Sequence, residues 1–447
     1  MTKRSIMLRY RRISKAVAEN WQIILANTIA IILAAGFWNP YDVKYFIKWH
    51  DDYFAKGKLL DVYTGPLEDK VAYFPLAVIL FVVFHALATK ISSDVVVWRL
   101  VDKIPLLLSF NAIYYILSKK YGKKAGYIWL LALGTYLTIL GYQFDLIIAL
   151  LVLLAAIYAV QGKRLWYGIY ISIATLVKQT LVILHIIPVI ELLKKRDFKE
   201  LAKYISVSAL IITIPVLPFF VRDPVAFINK TFLFHARRPP QHSIWAAPYY
   251  IANFNSDAMP SWFYELWIVA MAILMTWVIL KMWREKEFAP TTYLKYMVII
   301  TTGFIATSKV VNPPYVLWPT PPLIMLAVSA TKNGRGNKCF AEDLVFIHLL
   351  AHLIVAFIGF AIFFPGMVVG YPIFIPEDLN WVPADKFVID SGVPFNVIYY
   401  LALLFRSIMF VRVYFETLLA ISNYVAGALC IVLALTLLYT IIKLKDY

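Results

Sequence analysis

The chain has 447 residues, of which 62% are hydrophobic and 15% are charged, and its mean hydropathy is +0.73. Soluble domains average about 45–50% apolar and about 25% charged residues, so this composition excludes an ordinary soluble fold. The net charge of +17 does not indicate a nucleic-acid-binding protein, because the Lys and Arg residues cluster in short loops between apolar runs. Such clusters are typical of the cytoplasmic loops of membrane proteins.

Apolar runs long enough to cross a membrane recur from one end of the chain to the other. Three of them, 21–38, 344–364 and 424–442, contain no Asp, Glu, Lys or Arg. A hydrocarbon layer about 30 Å thick needs about 20 such residues in a helix. We therefore expect an all-α polytopic membrane protein with a bundle of roughly 11–13 transmembrane helices. The first run lacks a small-residue cleavage site after it, so we expect it to remain as the first span.

The distribution of charge predicts the topology of the first half. The basic N-terminus puts the end of the first span outside. If the runs 72–88 and 104–117 both crossed, the basic loops at 119–124 and 163–164 would also lie outside, against the positive-inside rule. The run at 72–88 has a proline near its start and can dip into the outer leaflet without crossing. We therefore expect a long first external loop that contains membrane-interface helices.

Later polar residues are expected on the same external side. Asp145 lies between two apolar runs, and Lys178 separates two half-length arms, 165–177 and 181–193, so it is expected at their apex. A further apex is expected around Lys309. The loop from 221 to 262 carries the remaining polar candidates, which are His235, Arg237, Arg238, His242 and Trp245.

These external residues suit one kind of chemistry. A carboxylate can remove the proton of an acceptor hydroxyl that attacks a phosphate-linked sugar, and cations can stabilise the departing phosphate. The first loop supplies Asp42, and later loops supply Asp145, Lys178 and Lys309. From composition alone, the alternative that these are hydrated loop charges without a catalytic role stays open.

Several segments, taken together in chain order, resemble a known family. They are Asp-Val-Lys-Tyr at 42–45 with Tyr-Phe-Ala-Lys-Gly at 53–57, Asp-Val-Tyr at 61–63 and Ala-Tyr-Phe-Pro-Leu at 72–76; Gly-Tyr-Gln-Phe-Asp at 141–145; Ala-Thr-Leu-Val-Lys at 174–178; the His and Arg segment at 234–245; and the Lys-Val…Pro-Tyr-Val-Leu-Trp segment at 308–318. In this order they resemble the GT-C glycosyltransferases. The resemblance is to the polyprenyl-phosphate-mannose-dependent group that includes the catalytic subunit of GPI mannosyltransferase I and its bacterial relatives. It implies a GT-C-like transmembrane catalytic module at 1–330, followed at 331–447 by C-terminal transmembrane helices with an external loop.

The resemblance also implies roles for individual residues. Asp42 is the expected catalytic base, and Asp145, in the second acidic loop, is expected to bind the acceptor or to orient the site. The residues expected to contact the donor phosphate are Lys178, His235, Arg237 and Lys309. Further candidates are Arg238, His242, Trp245 and Tyr315.

Two departures from the family's pattern bear on the chemistry. The family often carries a paired Asp-x-Asp in its first loop, whereas Asp42 stands alone. Such paired carboxylates sometimes hold a divalent metal. Because the second carboxylate is missing here, no metal site and no certain cofactor are predicted, although a divalent metal is left open. Pro314 occupies the position of the family's usual Gln before Tyr315, which leaves donor and acceptor specificity open.

The predicted function is transfer of a hexose, with mannose implied by the resemblance, from a polyprenyl-phosphate-linked donor to a lipid, glycolipid or glycan acceptor by an inverting displacement. The reaction is expected on the extracytoplasmic face of a prokaryotic plasma membrane or of the endoplasmic reticulum. The expected partners are the donor, the acceptor and membrane lipids, with an accessory subunit left open and no nucleic acid. A secondary transporter or lipid flippase is the alternative, although no matching halves and few ionisable residues within spans are found. A noncatalytic membrane scaffold also stays open, because Asp42 is unpaired in the sequence.

Overall fold

The computed structural model describes residues 3–66, 71–252, 254–255, 259–332, 338–369, 373–375, 380–382 and 415–445, and these residues form a bundle of α-helices. The helices are α1 (Lys3–Gly36), α2 (Pro40–Lys48), α3 (Pro75–Ile91), α4 (Val95–Asp102), α5 (Ile104–Tyr121), α6 (Lys123–Leu131), α7 (Leu133–Gly141), α8 (Asp145–Val160), α9 (Arg164–Val177), α10 (Ile186–Lys194), α11 (Phe198–Phe220), α12 (Pro224–Ile228), α13 (Phe234–Arg237), α14 (Ala246–Ile251), α15 (Leu266–Arg284), α16 (Pro290–Thr307), α17 (Thr320–Lys332), α18 (Lys338–Val369) and α19 (Phe415–Lys445). The strands within these ranges are β1 (Ile373–Ile375) and β2 (Asn380–Val382), an antiparallel pair with Ile373 opposite Val382. Apart from this short pair, the predicted all-α fold class is confirmed.

Several helices are long and apolar enough to span a membrane. Among the described residues, four uninterrupted helices meet this condition: Phe198–Phe220, Leu266–Arg284, Cys339–Ala361 and Ala420–Lys445. Two bent pairs, α4 with α5 and α6 with α7, also reach the required length, with bends of 41° and 52°. Shorter apolar helices are Asn20–Gly36, Pro75–Ile91, Asp145–Val160 and Arg164–Val177. The protein is a multi-pass membrane protein, while the predicted number of crossings stays a prediction.

The two bends have local causes. Between α6 and α7, Ala132 is extended, with φ −71° and ψ 97°. Between α4 and α5, Lys103 leaves the helical conformation, and Pro105 occupies the first turn of α5, where its missing N–H is not needed. The Lys103 ammonium donates hydrogen bonds to the carbonyl oxygens of Phe37, just past α1, and of Leu140, near the end of α7. Lys103 therefore joins the C-terminal ends of two helices, each of which leads into a polar loop.

The helix α8 lies at the centre of the bundle. It packs against α5, α9, α16 and α17, and its Leu, Ile, Val and Ala side chains are buried on several sides. A helix that is apolar on all faces is expected in such a position. Its first residue, Asp145, is consequently held at a fixed point where several helices end.

The C-terminal helices pack against the rest of the bundle. α18 and α19 pack on each other, and α19 also packs on α14 and α16. The backbone N–H of Gly134 in α7 donates a 3.1 Å hydrogen bond to the Nδ1 atom of His352 in α18. α18 continues to Val369, and residues 370–414 separate it from α19. Most of that segment lies outside the described residues, and the division of the chain at residue 330 stays a prediction.

Candidate active site

Asp42 lies in the first turn of α2, at the beginning of the predicted first external loop. An acidic residue is favoured there by the helix dipole, and Pro40 begins the helix. The Oδ2 atom of Asp42 accepts hydrogen bonds from the side-chain amides of Asn39, at 2.9 Å, and of Gln143, at 2.5 Å. Gln143 in turn accepts a 2.9 Å hydrogen bond from the hydroxyl of Tyr73. These contacts join the first predicted external loop to the loop that precedes Asp145.

The surroundings of Tyr73 favour the protonated form of its hydroxyl, which donates to Gln143. Burial, together with the negative charges of Asp42 and Asp145, raises the pKa of the Tyr73 hydroxyl well above its ordinary value of 10.0. A protonated hydroxyl fixes the orientation of the Gln143 amide, because the Oε1 atom accepts from Tyr73 and the Nε2 atom then faces Asp42.

Asp145 is completely buried at the start of α8. Its Oδ1 atom accepts a 2.7 Å hydrogen bond from the Trp318 indole and lies 3.3 Å from the Nζ atom of Lys178. Its Oδ2 atom is buried and has no hydrogen-bond partner within the described part of the chain. A buried carboxylate oxygen is nearly always hydrogen-bonded in a folded protein, so this atom lacks the partner that such an oxygen usually has. Asp145 is not among the lining residues of the two cavities described below.

Lys178 lies at the predicted apex between two short arms. α9 ends at Val177, the residues Gln179–His185 continue as a 3₁₀ helix into α10, and Lys178 between them is extended. Its side chain is only 5% exposed, and the Nζ atom lies 3.8 Å from the centre of the Tyr315 ring and 5.2 Å from that of Trp318. Aromatic faces and one carboxylate oxygen therefore hold the ammonium group in position.

A small cavity of about 30 Å³ opens between these residues. Asp42, Tyr73, Lys178, Arg238 and Tyr315 are among its lining residues. The cavity therefore brings a carboxylate and two cations together, although they are far apart in the sequence.

A second cavity, of about 160 Å³, adjoins the first and shares Lys178 and Tyr315 with it. Lys309 lines this cavity together with apolar side chains such as Trp267 and Phe304. The Lys309 ammonium donates a 2.8 Å hydrogen bond to the carbonyl oxygen of Ala236 and lies 3.6 Å from a carboxylate oxygen of Glu265. Burial lowers the pKa of Lys309 below its ordinary value of 10.5, and the negative charge of Glu265 acts in the opposite direction.

Backbone contacts fix Lys309 relative to the predicted second external loop. The Lys309 carbonyl oxygen accepts hydrogen bonds from the Gln241 N–H, at 3.1 Å, and from the Ser243 hydroxyl, at 2.6 Å. The Val311 N–H donates to the Gln241 carbonyl oxygen at 2.8 Å. Asp42, Asp145, Lys178 and Lys309 thus lie at the same end of the bundle, called the site end below.

The structure distributes the other predicted site residues unevenly. Arg238 is buried, lines the first cavity and donates a hydrogen bond to Gln241, whereas its neighbour Arg237 is exposed and contacts Asn229 at 3.3 Å. His235 belongs to α13, but its side chain lies outside the described part. His242 is buried, and the Tyr250 hydroxyl lies 2.9 Å from its backbone N–H and 3.2 Å from its Nδ1 atom.

Trp245 and Tyr315, the two aromatic candidates, are placed differently. The Trp245 indole donates a 3.0 Å hydrogen bond to the carbonyl oxygen of Thr307 and lines neither cavity. Tyr315 stacks on Trp318 at 4.5 Å and lines both cavities.

The sequence reasoning gave no role to Gln143, Tyr73 or Trp318, although all three belong to the site. Each lies inside a segment that carried the family resemblance. Gln143 lies two positions before Asp145, which was an available signal, whereas Tyr73 and Trp318 adjoin no candidate carboxylate or cation in the sequence. Among the described residues, no group of three or more His, Cys, Asp or Glu side chains is placed to hold a metal ion. A divalent metal, which the sequence analysis left open, stays a prediction.

Comparisons with known proteins identify the family. Residues 72–308 match the model of glycosyltransferase family 87, which is more than half of the chain. No curated protein matches the chain. Among solved structures, the chain is similar to ArnT from Cupriavidus metallidurans bound to undecaprenyl phosphate, with 16% identity, a TM-score of 0.48 and coverage of 95% of this chain and 76% of that one. The apo state of the same enzyme matches with 15% identity, a TM-score of 0.47 and coverage of 96% and 77%.

The family match includes Asp145 and Lys178 and ends at Ser308, so Asp42 and Lys309 lie outside the matched range. It confirms the prediction of a GT-C membrane glycosyltransferase, while the nearer resemblance to mannosyltransferases stays a prediction. The chain belongs to glycosyltransferase family 87.

Proposed function

We propose that this glycosyltransferase moves a hexose from a polyprenyl-phosphate donor to a hydroxyl group of a lipid or glycan acceptor. The observation that carries the proposal is that Asp42, Lys178 and Arg238 line one cavity, next to a largely apolar cavity that contains Lys309. A base and a set of cations at adjoining positions suit transfer of a sugar away from a phosphate.

Asp42 is the proposed base. The amides of Asn39 and Gln143 hold its Oδ2 atom, so the carboxylate is fixed at the cavity wall before the acceptor arrives. In the reaction, the acceptor oxygen forms a bond to the anomeric carbon as its proton moves to Asp42. The bond between the anomeric carbon and the phosphate oxygen breaks, and its electron pair stays on the phosphate. This single displacement inverts the configuration at the anomeric carbon.

Lys178, Arg238 and Lys309 are the proposed contacts of the donor phosphate. Lys178 and Tyr315 belong to both cavities, so a phosphate bound beside Lys178 would lie between the acceptor and the apolar cavity. Arg238 takes the place of Arg237 in this proposal, because Arg237 is exposed and lines neither cavity. The apolar residues of the second cavity suit the first isoprene units of the lipid.

The finer parts of the proposal come from the sequence resemblance. They are mannose as the hexose, the extracytoplasmic face as the site of reaction and a glycolipid or glycan as the acceptor. Asp145 is proposed to bind or orient the acceptor through its Oδ2 atom.

A transfer assay with matched variants tests the proposal. Purified protein in detergent is mixed with radiolabelled polyprenyl-phosphate-mannose and a membrane-lipid extract, and label in a new lipid product is counted. We expect transfer by the wild type and its loss in Asp42→Asn. Asp52→Asn is the control, because Asp52 belongs to the same predicted loop and forms a surface ion pair with Lys56 at 2.9 Å.

The outcomes separate the parts of the proposal. Transfer retained by Asp42→Asn would exclude Asp42 as the base. Transfer from a different hexose donor would correct the sugar alone. Absence of transfer from every polyprenyl-phosphate hexose, with folded protein, would exclude the proposed donor class.

A further inference from the structure

A large polar cavity lies at the end of the bundle opposite the active site. Its volume is about 330 Å³, and its lining includes Lys281, Arg284, Lys295 and Lys445, with Trp277 and Ile299 as apolar walls. It is formed where the end of α15, the first turns of α16 and the end of α19 meet. Nothing in the proposed reaction uses these residues.

The distance between the two sites follows from α15 and α16. Glu265, directly before α15, contacts Lys309 at the site end, and Arg284 is the last residue of α15. A helix of 19 residues rises by roughly 27 Å between its first and last Cα atoms. The cavity is therefore separated from the active site by about the thickness of the hydrocarbon layer, roughly 30 Å.

The cavity has an excess of positive charge. Its one carboxylate, Glu285, is already bound by the Lys295 ammonium at 2.8 Å and by the Tyr296 hydroxyl at 2.6 Å. Lys281, Arg284 and Lys445 form no ion pair with any described residue. Three cations that form no ion pair within the described part of the chain surround one opening, and such a group attracts an anion that carries several acceptor oxygens.

The surface next to the cavity is apolar. Trp277 and Ile299 are part of the lining, and on α15 the side chains of Leu280 and Trp283 are exposed by 51% and 53%. In a membrane protein such side chains face lipid. A ligand with an anionic head and hydrocarbon chains could therefore bind the cations of the cavity and cover the adjoining apolar helix surface at the same time.

We propose that this cavity binds the phosphate headgroup of an anionic phospholipid in the leaflet opposite the active site. The phosphate lies among Lys281, Arg284 and Lys445, and the acyl chains follow the exposed face of α15. Basic pockets between transmembrane helices are suited to anionic headgroups. A zwitterionic lipid has no net negative charge, because its ammonium group compensates its phosphate. The site does not depend on the proposed glycosyl transfer.

Native mass spectrometry of the full chain tests this site. The detergent-purified protein is titrated with dioleoylphosphatidylglycerol and, separately, with dioleoylphosphatidylcholine, and the lipid-bound fraction is measured. We expect preferential binding of the anionic lipid, and an affinity about 30-fold lower in the double variant Lys281→Gln/Arg284→Gln. The control is Lys123→Gln/Lys124→Gln, which removes two exposed charges from another basic loop and should bind as the wild type does.

Competition with inorganic phosphate distinguishes recognition of the phosphate group alone from recognition of a whole lipid. If millimolar phosphate displaces the lipid, the phosphate group alone is recognised; if it does not, the acyl chains contribute as proposed. Lys445→Gln, at the end of the described chain, gives a second test should the double variant fail to fold. Equal affinity for the two lipids, or equal affinity of the wild type and both cavity variants, would overturn the proposal.

Discussion

The two buried carboxylates Glu191 and Asp145 lie at different places in the bundle and differ in how completely they are hydrogen-bonded. Both side-chain oxygens of Glu191, in α10, are bonded: Arg164 contacts them at 2.6 and 2.5 Å, Lys195 at 2.6 Å, and the Tyr293 hydroxyl also donates. Asp145 is equally buried, but only its Oδ1 atom has partners in the described part of the chain.

The difference is the one expected between a structural cluster, around Glu191, and the proposed functional cluster, around Asp145. A fully hydrogen-bonded carboxylate fixes the elements around it, and Glu191 joins α9, α10 and α16 in this way. An incompletely bonded one carries a desolvation cost, which a ligand can relieve. Arg164 and Lys195 also reach solvent, with 35% and 51% of their side chains exposed, whereas Lys178 is enclosed beside both cavities.

Among the substitutions that test this comparison, that of Lys178 is expected to give the largest change in activity. In Lys178→Gln the transfer rate should fall by about 10²–10³-fold, because a charge that stabilises the departing phosphate is lost. The same change leaves the charge of Asp145 uncompensated, so the melting temperature in detergent should also fall. The measurements are single-turnover transfer, normalised to folded protein, and thermal unfolding.

The double variant Asp145→Asn/Lys178→Gln distinguishes the two effects. It removes both charges of the pair, so stability should return towards that of the wild type while transfer stays low. Recovery of transfer together with stability would contradict the functional role of Lys178.

Substitution of Glu191 should give the opposite pattern. Glu191→Gln leaves Arg164 and Lys195 without their carboxylate and should lower the free energy of unfolding by about 3 kcal/mol, the lower end for a broken buried pair, because both cations reach solvent. Transfer per folded molecule should not change. A large loss of transfer in a stably folded Glu191→Gln protein would show that the contrast between the two carboxylates is wrong.

The sequence predicted one side of the contrast between the two carboxylates, the pair of Asp145 and Lys178. The apex position of Lys178 followed from a cation between two half-length apolar arms, and the placement of Asp145 with it followed from the charge rule, which put both on one side. The Glu191 cluster was not predicted, because its partner Tyr293 is 102 positions away and no local pattern joins them. Contacts of this kind depend on which helices become neighbours.

The choice between Arg237 and Arg238 also required the structure. Both belong to one short segment, and the sequence analysis favoured Arg237. α13 ends at Arg237, and the chain becomes extended at Arg238, with ψ 149°, so the two consecutive side chains enter different environments. A change in backbone conformation over one residue cannot be read from residue type.

Substitution of Tyr315 should lower transfer less than substitution of Lys178 does. Tyr315→Leu removes the ring that lies 3.8 Å from the Lys178 ammonium and should lower transfer by roughly 10- to 30-fold. Tyr315→Phe keeps the aromatic face and serves as the matched control, with transfer close to that of the wild type. Equal losses in the two variants would assign the role to the hydroxyl and exclude the cation–π contact as the cause.

The smallest expected effect is a change in pH dependence through Glu265. Burial lowers the pKa of Lys309 below 10.5, and the Glu265 charge raises it. If protonated Lys309 contacts the donor phosphate, transfer falls as the pH rises through this lowered pKa. Glu265→Gln removes the opposing charge and should move the alkaline limb of the pH–rate profile to lower pH, by a small amount because Glu265 is 53% exposed. In Lys309→Arg the limb should disappear, since Arg keeps its charge; a limb that stays unchanged in both variants would exclude Lys309 as its source.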